Sequence, residues 1–134
     1  MLSKKVGELS PTLILPVAER TEVNVSMYGD YIREHRGDEI VENEKGFATY
    51  RFLNEGKTVY IVDIYVHPDF RNSKAASSLA DTIVEAAKLQ GCVELLGTVV
   101  PSAKNSTASL KVLLGYGMSL HSSSNDLIVF RKDI

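Results

Sequence analysis

The chain has 134 residues, 44% of them hydrophobic and 24% charged, with a formal net charge of −2. That length suits one domain spanning residues 1–134, able to bury roughly two thirds of its unfolded surface, and the composition excludes a disordered chain. A charge so near balance supplies no field to recruit nucleic acid or an anionic membrane.

No apolar run approaches the ~20 residues of a membrane span, and no signal-peptide pattern occupies the first residues. The single cysteine, Cys92, has no internal partner for a disulfide, which suits a reducing cytoplasm. No Cys/His cluster has metal-ligand spacing, so no metal site is expected.

Residues Met1 to Ser10 read as a polar lead-in, and Leu13, Ile14 and Leu15 as a short first strand before Pro16. From Val17 to His35 the spacing is weakly helical, with Val23, Met27, Tyr31 and Ile32 on one face. A break near Gly29-Asp30 is expected there. Arg36-Gly37-Asp38 reads as a turn. The period then becomes that of strands: Glu39–Asn43, a turn at Glu44-Lys45-Gly46, and Phe47–Leu53 predict a hairpin. A second turn, Asn54 to Lys57, leads into the run Thr58–Val66.

The stretch from Thr58 to Gly91 is the most informative. Val59 to Val66 is apolar and β-branched, as in a strand buried on both faces, and Pro68 ends it because proline cannot donate to a ladder. After the loop HPDFRNSK, Ala76, Leu79, Ala80, Ile83, Ala87 and Gln90 share one helical stripe opposite Ser78, Asp81, Glu85 and Lys88. Gly91 stands at the expected C-cap. A helix starting just after such a loop offers unpartnered N–H groups and a positive dipole end to a phosphate. Beyond it, Cys92–Pro101 predicts a strand parallel to the central one. Asn105–Leu114 predicts a second helix with Ala108, Val112 and Leu113 inward. Met118–Leu120 and Leu127–Arg131 are the closing strands.

The residues IYVHPDFRNSKAA, between strand and helix, resemble the cofactor loop of the GNAT N-acetyltransferase family, whose pattern is Arg/Gln-x-x-Gly-x-Gly/Ala. Arg71 and Ala76 fit; Lys74 replaces glycine, although a lysine can still take a helical φ/ψ. SLKVLLGYGM resembles the family's late segment, Ala-x-x-Leu-Tyr-x-x-x-Gly-Phe, with Leu113 where the tyrosine that protonates the leaving thiolate usually stands. The resemblance implies an α/β fold: a mixed, mostly antiparallel sheet with a splayed parallel pair, flanked by helices. It implies acetyl-CoA as cofactor and transfer of its acetyl group to a primary amine of a protein, peptide or small molecule. It also leaves room for a GNAT-shaped binding or regulatory module without turnover.

By the same resemblance, the backbone of Ile64, Tyr65 and Val66 would pair with the pantetheine arm. The loop Arg71, Asn72, Ser73, Lys74, Ala75 and Ala76 would take the pyrophosphate, with the Arg71 and Lys74 side chains as charged partners. Asn105 would face the pantetheine, or else be a helix N-cap. Asp63, a lone carboxylate in an apolar strand, is a candidate base whose pKa partial burial would raise; it could equally bond locally or face solvent. Tyr65 shares its face, and Tyr60 stands near the position of the glutamate base of some members. Tyr116 would be the proton donor in a slipped register. His67 reads as a strand-end residue and Cys92 as packed. Pairing of two copies through the C-terminal strands is a further expectation.

Overall fold

The computed structural model describes residues 26–134, so the expected lead-in, first strand and any helix before Ser26 lie outside it. Helix α1 covers Met27–Arg36 and is followed by strands β1 (Glu39–Asn43), β2 (Gly46–Leu53) and β3 (Thr58–Val66). Helix α2 (Ala75–Leu89), strand β4 (Glu94–Val99), helix α3 (Ser106–Gly115) and strands β5 (Ser119–Ser124) and β6 (Leu127–Asp133) complete the order. The described strands form one sheet in the order β1-β2-β3-β4-β6-β5, in which only β3 and β4 run parallel. The strand–helix–strand unit β3-α2-β4 produces that parallel pair, because a helical crossover returns the chain to the same end of the sheet.

The expected break at Gly29 does not occur. Ser26 caps α1 by accepting the Gly29 N–H at 2.8 Å, and its own hydroxyl donates to Glu42 at 2.6 Å. Gly29 is a packing residue: a Cβ there would meet Glu42 Oε2 at 3.1 Å and Ile40 Cγ2 at 3.2 Å. The face so buried is Gly29 and Ile32, while Met27 and Tyr31 are exposed. Gly37 ends the helix in the left-handed region, φ 70°.

Helices α2 and α3 cover the opposite face. Leu79, Ala80, Ile83 and Ala87 of α2 pack with Ala48, Val59, Ile61, Leu95 and Phe130 of the sheet. Full burial of Leu79 and Ile83 contributes roughly 1.5–3 kcal/mol each. From α3, Leu110 and Leu113 reach this core; Ala108, expected inward, is exposed. α3 has a weak apolar stripe, so its rotation follows the glycine gap at Gly97 rather than its own periodicity. A Cβ on Gly97 would lie 3.1 Å from Leu113 Cδ2 and 3.5 Å from Met118 Cε.

No helix among the described residues is long and apolar enough to cross a membrane.

Candidate active site

The parallel ladder is short. β3 pairs with β4 from Thr58↔Glu94 to Ile61↔Gly97, yet β3 continues to Val66 and β4 to Val99. At the same level the ladder between β2 and β3 shifts: Thr49 faces Asp63 while Tyr50 faces Ile61, so Val62 is an extra residue. Such a bulge bends its strand and re-aims the residues beyond it, and here it coincides with the parting of β3 from β4. The result is a V-shaped split whose apex is Ile61–Gly97, floored by Leu113 on the α3 side.

One wall of the split is the open half of β3. The His67 N–H donates to Lys45 O at 2.7 Å, which sets odd-numbered backbone groups toward β2. By strand alternation, Ile64 and Val66 turn their N–H and C=O groups toward the strand that has left. The Val66 carbonyl accepts from Arg71 Nε, while the Ile64 groups and the Val66 N–H form an open edge that suits an extended, amide-bearing arm. Tyr65, also expected among the cofactor contacts, directs its backbone to β2 and its side chain to the α1 face.

The loop comes at once after β3. His67 Nδ1 accepts the Asp69 N–H at 3.1 Å, starting a 3-10 turn over Pro68–Phe70. The Ser73 hydroxyl donates to Phe70 O, and Arg71 Nε donates to Val66 O at 2.9 Å. The Arg71 guanidinium lies 5.6 Å from the Tyr65 ring centre. Asn72 has φ 63° and Lys74 φ 67°, ψ 17°, so the lysine stands in the left-handed well that glycine fills at least cost. No side chain caps α2 after it. Its first N–H groups stay open between small residues, Ala75 and Ala76, a donor set that fits a diphosphate.

Asn105 repeats this geometry across the split. It holds the N-cap position of α3 at φ 68°, ψ 19°, but its side chain caps nothing. The N-cap alternative holds for its position, but the Asn105 side chain makes no capping hydrogen bond.

The two proposed proton carriers lie on opposite faces of the sheet. Asp63 is on the α1 face, half exposed rather than partly buried, and accepts from Arg36 Nη1 at 3.4 Å. Tyr116 is on the α2/α3 side, where its hydroxyl donates to Asp81 Oδ1 at 2.7 Å. Burial raises the Tyr116 pKa, and the Asp81 carboxylate raises it further. The Lys132 ammonium sits 4.7 Å from the ring centre.

The α1 face also holds groups that no local pattern announced. Asp38, 1% exposed, accepts two hydrogen bonds from Arg51, at 2.7 and 3.0 Å. The Arg51 guanidinium lies 5.9 Å from the Tyr60 ring centre, and Tyr60 and Thr98 share a hydrogen bond of 3.0 Å. The Thr49 hydroxyl, fully buried opposite Asp63, has no partner among the described residues. Only the register between strands brings these residues together. Arg36 could have been suspected as a helix-end cation, but its partner is 27 residues away.

Comparison with solved structures gives the same architecture. The chain is similar to the PaiA N-acetyltransferase from Thermoplasma acidophilum in complex with coenzyme A, at 12% identity over 81% of this chain and 69% of that one, TM-score 0.64. It is also similar to the Bacillus subtilis acetyltransferase in complex with coenzyme A, at 15% identity over 78% and 83%, TM-score 0.60. A third likeness is to an aminoglycoside 6′-N-acetyltransferase complexed with coenzyme A, at 9% identity over 77% and 76%, TM-score 0.63. At such identities these likenesses speak for the fold alone. Among curated proteins no sequence match to this chain is found. The family model described as the Acetyltransferase (GNAT) family matches residues 19–116, from before α1 to the end of α3. The chain therefore belongs to the GNAT acetyltransferase family, whose cofactor is acetyl-CoA.

Proposed function

We propose that this protein is an acetyl-CoA-dependent N-acetyltransferase acting on a primary amine by direct attack in a ternary complex. The observation that carries the reading is the split itself. The bulge at Val62 opens β3 from β4 and leaves the Ile64 and Val66 backbone beside the uncapped start of α2. Ile64 and Val66 would hold the pantetheine amides, and the N–H groups of the loop through Ala75 and Ala76 the pyrophosphate. Asn105 would offer its uncommitted amide from the opposite wall. Bound there, acetyl-CoA supplies the acetyl thioester as electrophile.

For their part the residues orient and exchange protons. Asp63 would accept the amine's proton, directly or through one water, once Arg36 is displaced. Tyr116, the proton donor of the slipped register, already donates its hydroxyl to Asp81, and its raised pKa makes it a weaker acid toward a thiolate. The other candidate position carries Leu113, packed at the apex.

That apolar apex favours a second reading, a GNAT-shaped module that binds the cofactor without turnover. Release of thiol from acetyl-CoA with any amine removes it. The cofactor assignment is tested by calorimetry. Micromolar binding of acetyl-CoA by the native chain is expected, and Ala76→Asp should abolish it with the fold intact, by placing a carboxylate against the anion. Absent binding at millimolar cofactor, or unchanged affinity in Ala76→Asp, overturns it. Two copies would pair through β5, the last strand of the sheet, all of whose residues are exposed.

A further inference from the structure

On the α1 face, beside the open half of β3, three rings form a ladder. The Tyr28 and Phe47 ring centres are 5.1 Å apart, and those of Phe47 and Tyr65 5.7 Å. Tyr28 is 40% exposed and Tyr65 45%. Asp63 precedes Tyr65 by two residues on the same face, about 6.6 Å along the strand. Its partner Arg36 is held at 3.4 Å, with both side chains roughly half exposed, and an exposed pair of that kind contributes little. An incoming ammonium can therefore take the place of Arg36 on Asp63.

Charge on this face argues for one positive charge and against several. Asp38 is matched by Arg51 and Asp63 by Arg36, and Glu42, across the strands from Phe47, accepts the Ser26 hydroxyl, so among these described carboxylates Asp63 is the one whose partner is an exposed, exchangeable cation. Ring edges a short spacer away from a single exchangeable carboxylate suit a flat apolar body.

Resting on the acetyltransferase reading above, we propose that the acceptor is a monocationic amine borne two or so carbons from an aromatic ring. Its ammonium would sit at Asp63 and its ring against Tyr28, Phe47 and Tyr65. In the reaction the deprotonated nitrogen forms a bond to the thioester carbonyl carbon and the C–S bond breaks. Asp63 takes the first proton from the ammonium and passes it to solvent; the sulfur leaves with the electron pair, and the second N–H proton, shed as the amide forms, goes to the departing thiolate.

The test is thiol release by the full chain with acetyl-CoA and 2-phenylethylamine, ethylamine, spermidine or kanamycin, with the acetylated amine identified by mass spectrometry. kcat/KM for 2-phenylethylamine should exceed each of the others at least about tenfold. Tyr28→Ala should remove most of that preference, and Tyr28→Leu, which keeps apolar volume, should remove part of it, while calorimetric affinity for acetyl-CoA stays unchanged. Equal or faster use of ethylamine, spermidine or kanamycin, an equal loss on all amines in both variants, or cofactor binding without turnover of any amine overturns the acceptor assignment and leaves the cofactor site standing. Failure to bind acetyl-CoA overturns both.

Discussion

Lys74 and Asn105 begin the helices that come after the two parallel strands in the same backbone conformation, φ 67° and ψ 17° for one and φ 68° and ψ 19° for the other. Both walls of the split thus end in a left-handed residue and a helix start that no side chain caps. The two residues differ in how well they tolerate this. A short polar side chain such as that of asparagine visits the left-handed well readily, whereas a lysine meets a steric penalty of roughly 1–2 kcal/mol.

Lys74→Gly should relieve that strain and, after the extra chain entropy of glycine in the unfolded state, raise stability by about 0.5–1 kcal/mol. Asn105→Gly should stay within about 0.5 kcal/mol of the native chain. Thermal unfolding of both variants checks the contrast. Affinity of Lys74→Gly for acetyl-CoA separates the two roles of this position: a change within about threefold leaves the anion to the backbone, and a tenfold loss gives the ammonium a phosphate.

Gly46→Ala tests the open wall. A Cβ there would overlap the Tyr65 carbonyl oxygen and come within 2.9 Å of Val66 Cα. Backbone atoms cannot move aside as a side chain can, so β2 and β3 must part locally. A loss of about 2–4 kcal/mol is expected in denaturant unfolding, with weakened acetyl-CoA binding in whatever fraction stays folded.

Tyr116→Phe removes the hydroxyl that donates to Asp81. Stability should fall by about 0.5–1.5 kcal/mol, the net contribution of one such bond. Turnover should change less than about threefold, against the 10²–10⁴-fold loss that removal of a general acid brings. A loss of that larger size would restore Tyr116 to the mechanism.

Glu94 ties the start of β4 to its neighbours, accepting from Arg131 Nε at 2.7 Å and from the Thr58 hydroxyl at 3.1 Å. The Arg131 hydrogen bond, chiefly, lowers its pKa below the ordinary carboxylate value. A depressed folded pKa adds stability that is complete above the unfolded value, near 4.3, and is lost as pH falls through the folded one. Glu94→Gln should cost about 1–3 kcal/mol at pH 7 and flatten the decline of stability between about pH 5 and the folded pKa. Chemical denaturation across that range measures both.

Much of this was legible along the chain. The run Thr58–Val66 has the observed bounds of β3 because a stretch of strand-forming residues, interrupted at Asp63 alone, ends at His67-Pro68. The stripe Leu79, Ala80, Ile83 and Ala87 is the buried face of α2. Where local pattern misled, a contact from far away decided. Gly29 stays helical because Ser26 caps it and Ile40 needs the space, and Ala108 faces out because α3 is turned by the gap at Gly97.

Local pattern by itself determined the strands, the helices and a loop fit for an anion, since these arise from forces acting over a few residues: backbone sterics, the period of apolar side chains and open N–H groups. Tertiary structure alone decided the bulge opposite Thr49, the parting of β3 from β4, and the meeting of Asp63 with Arg36 and of Tyr28 with Phe47 and Tyr65. These depend on register between segments distant in the chain, where a shift of one residue turns every side chain to the other face.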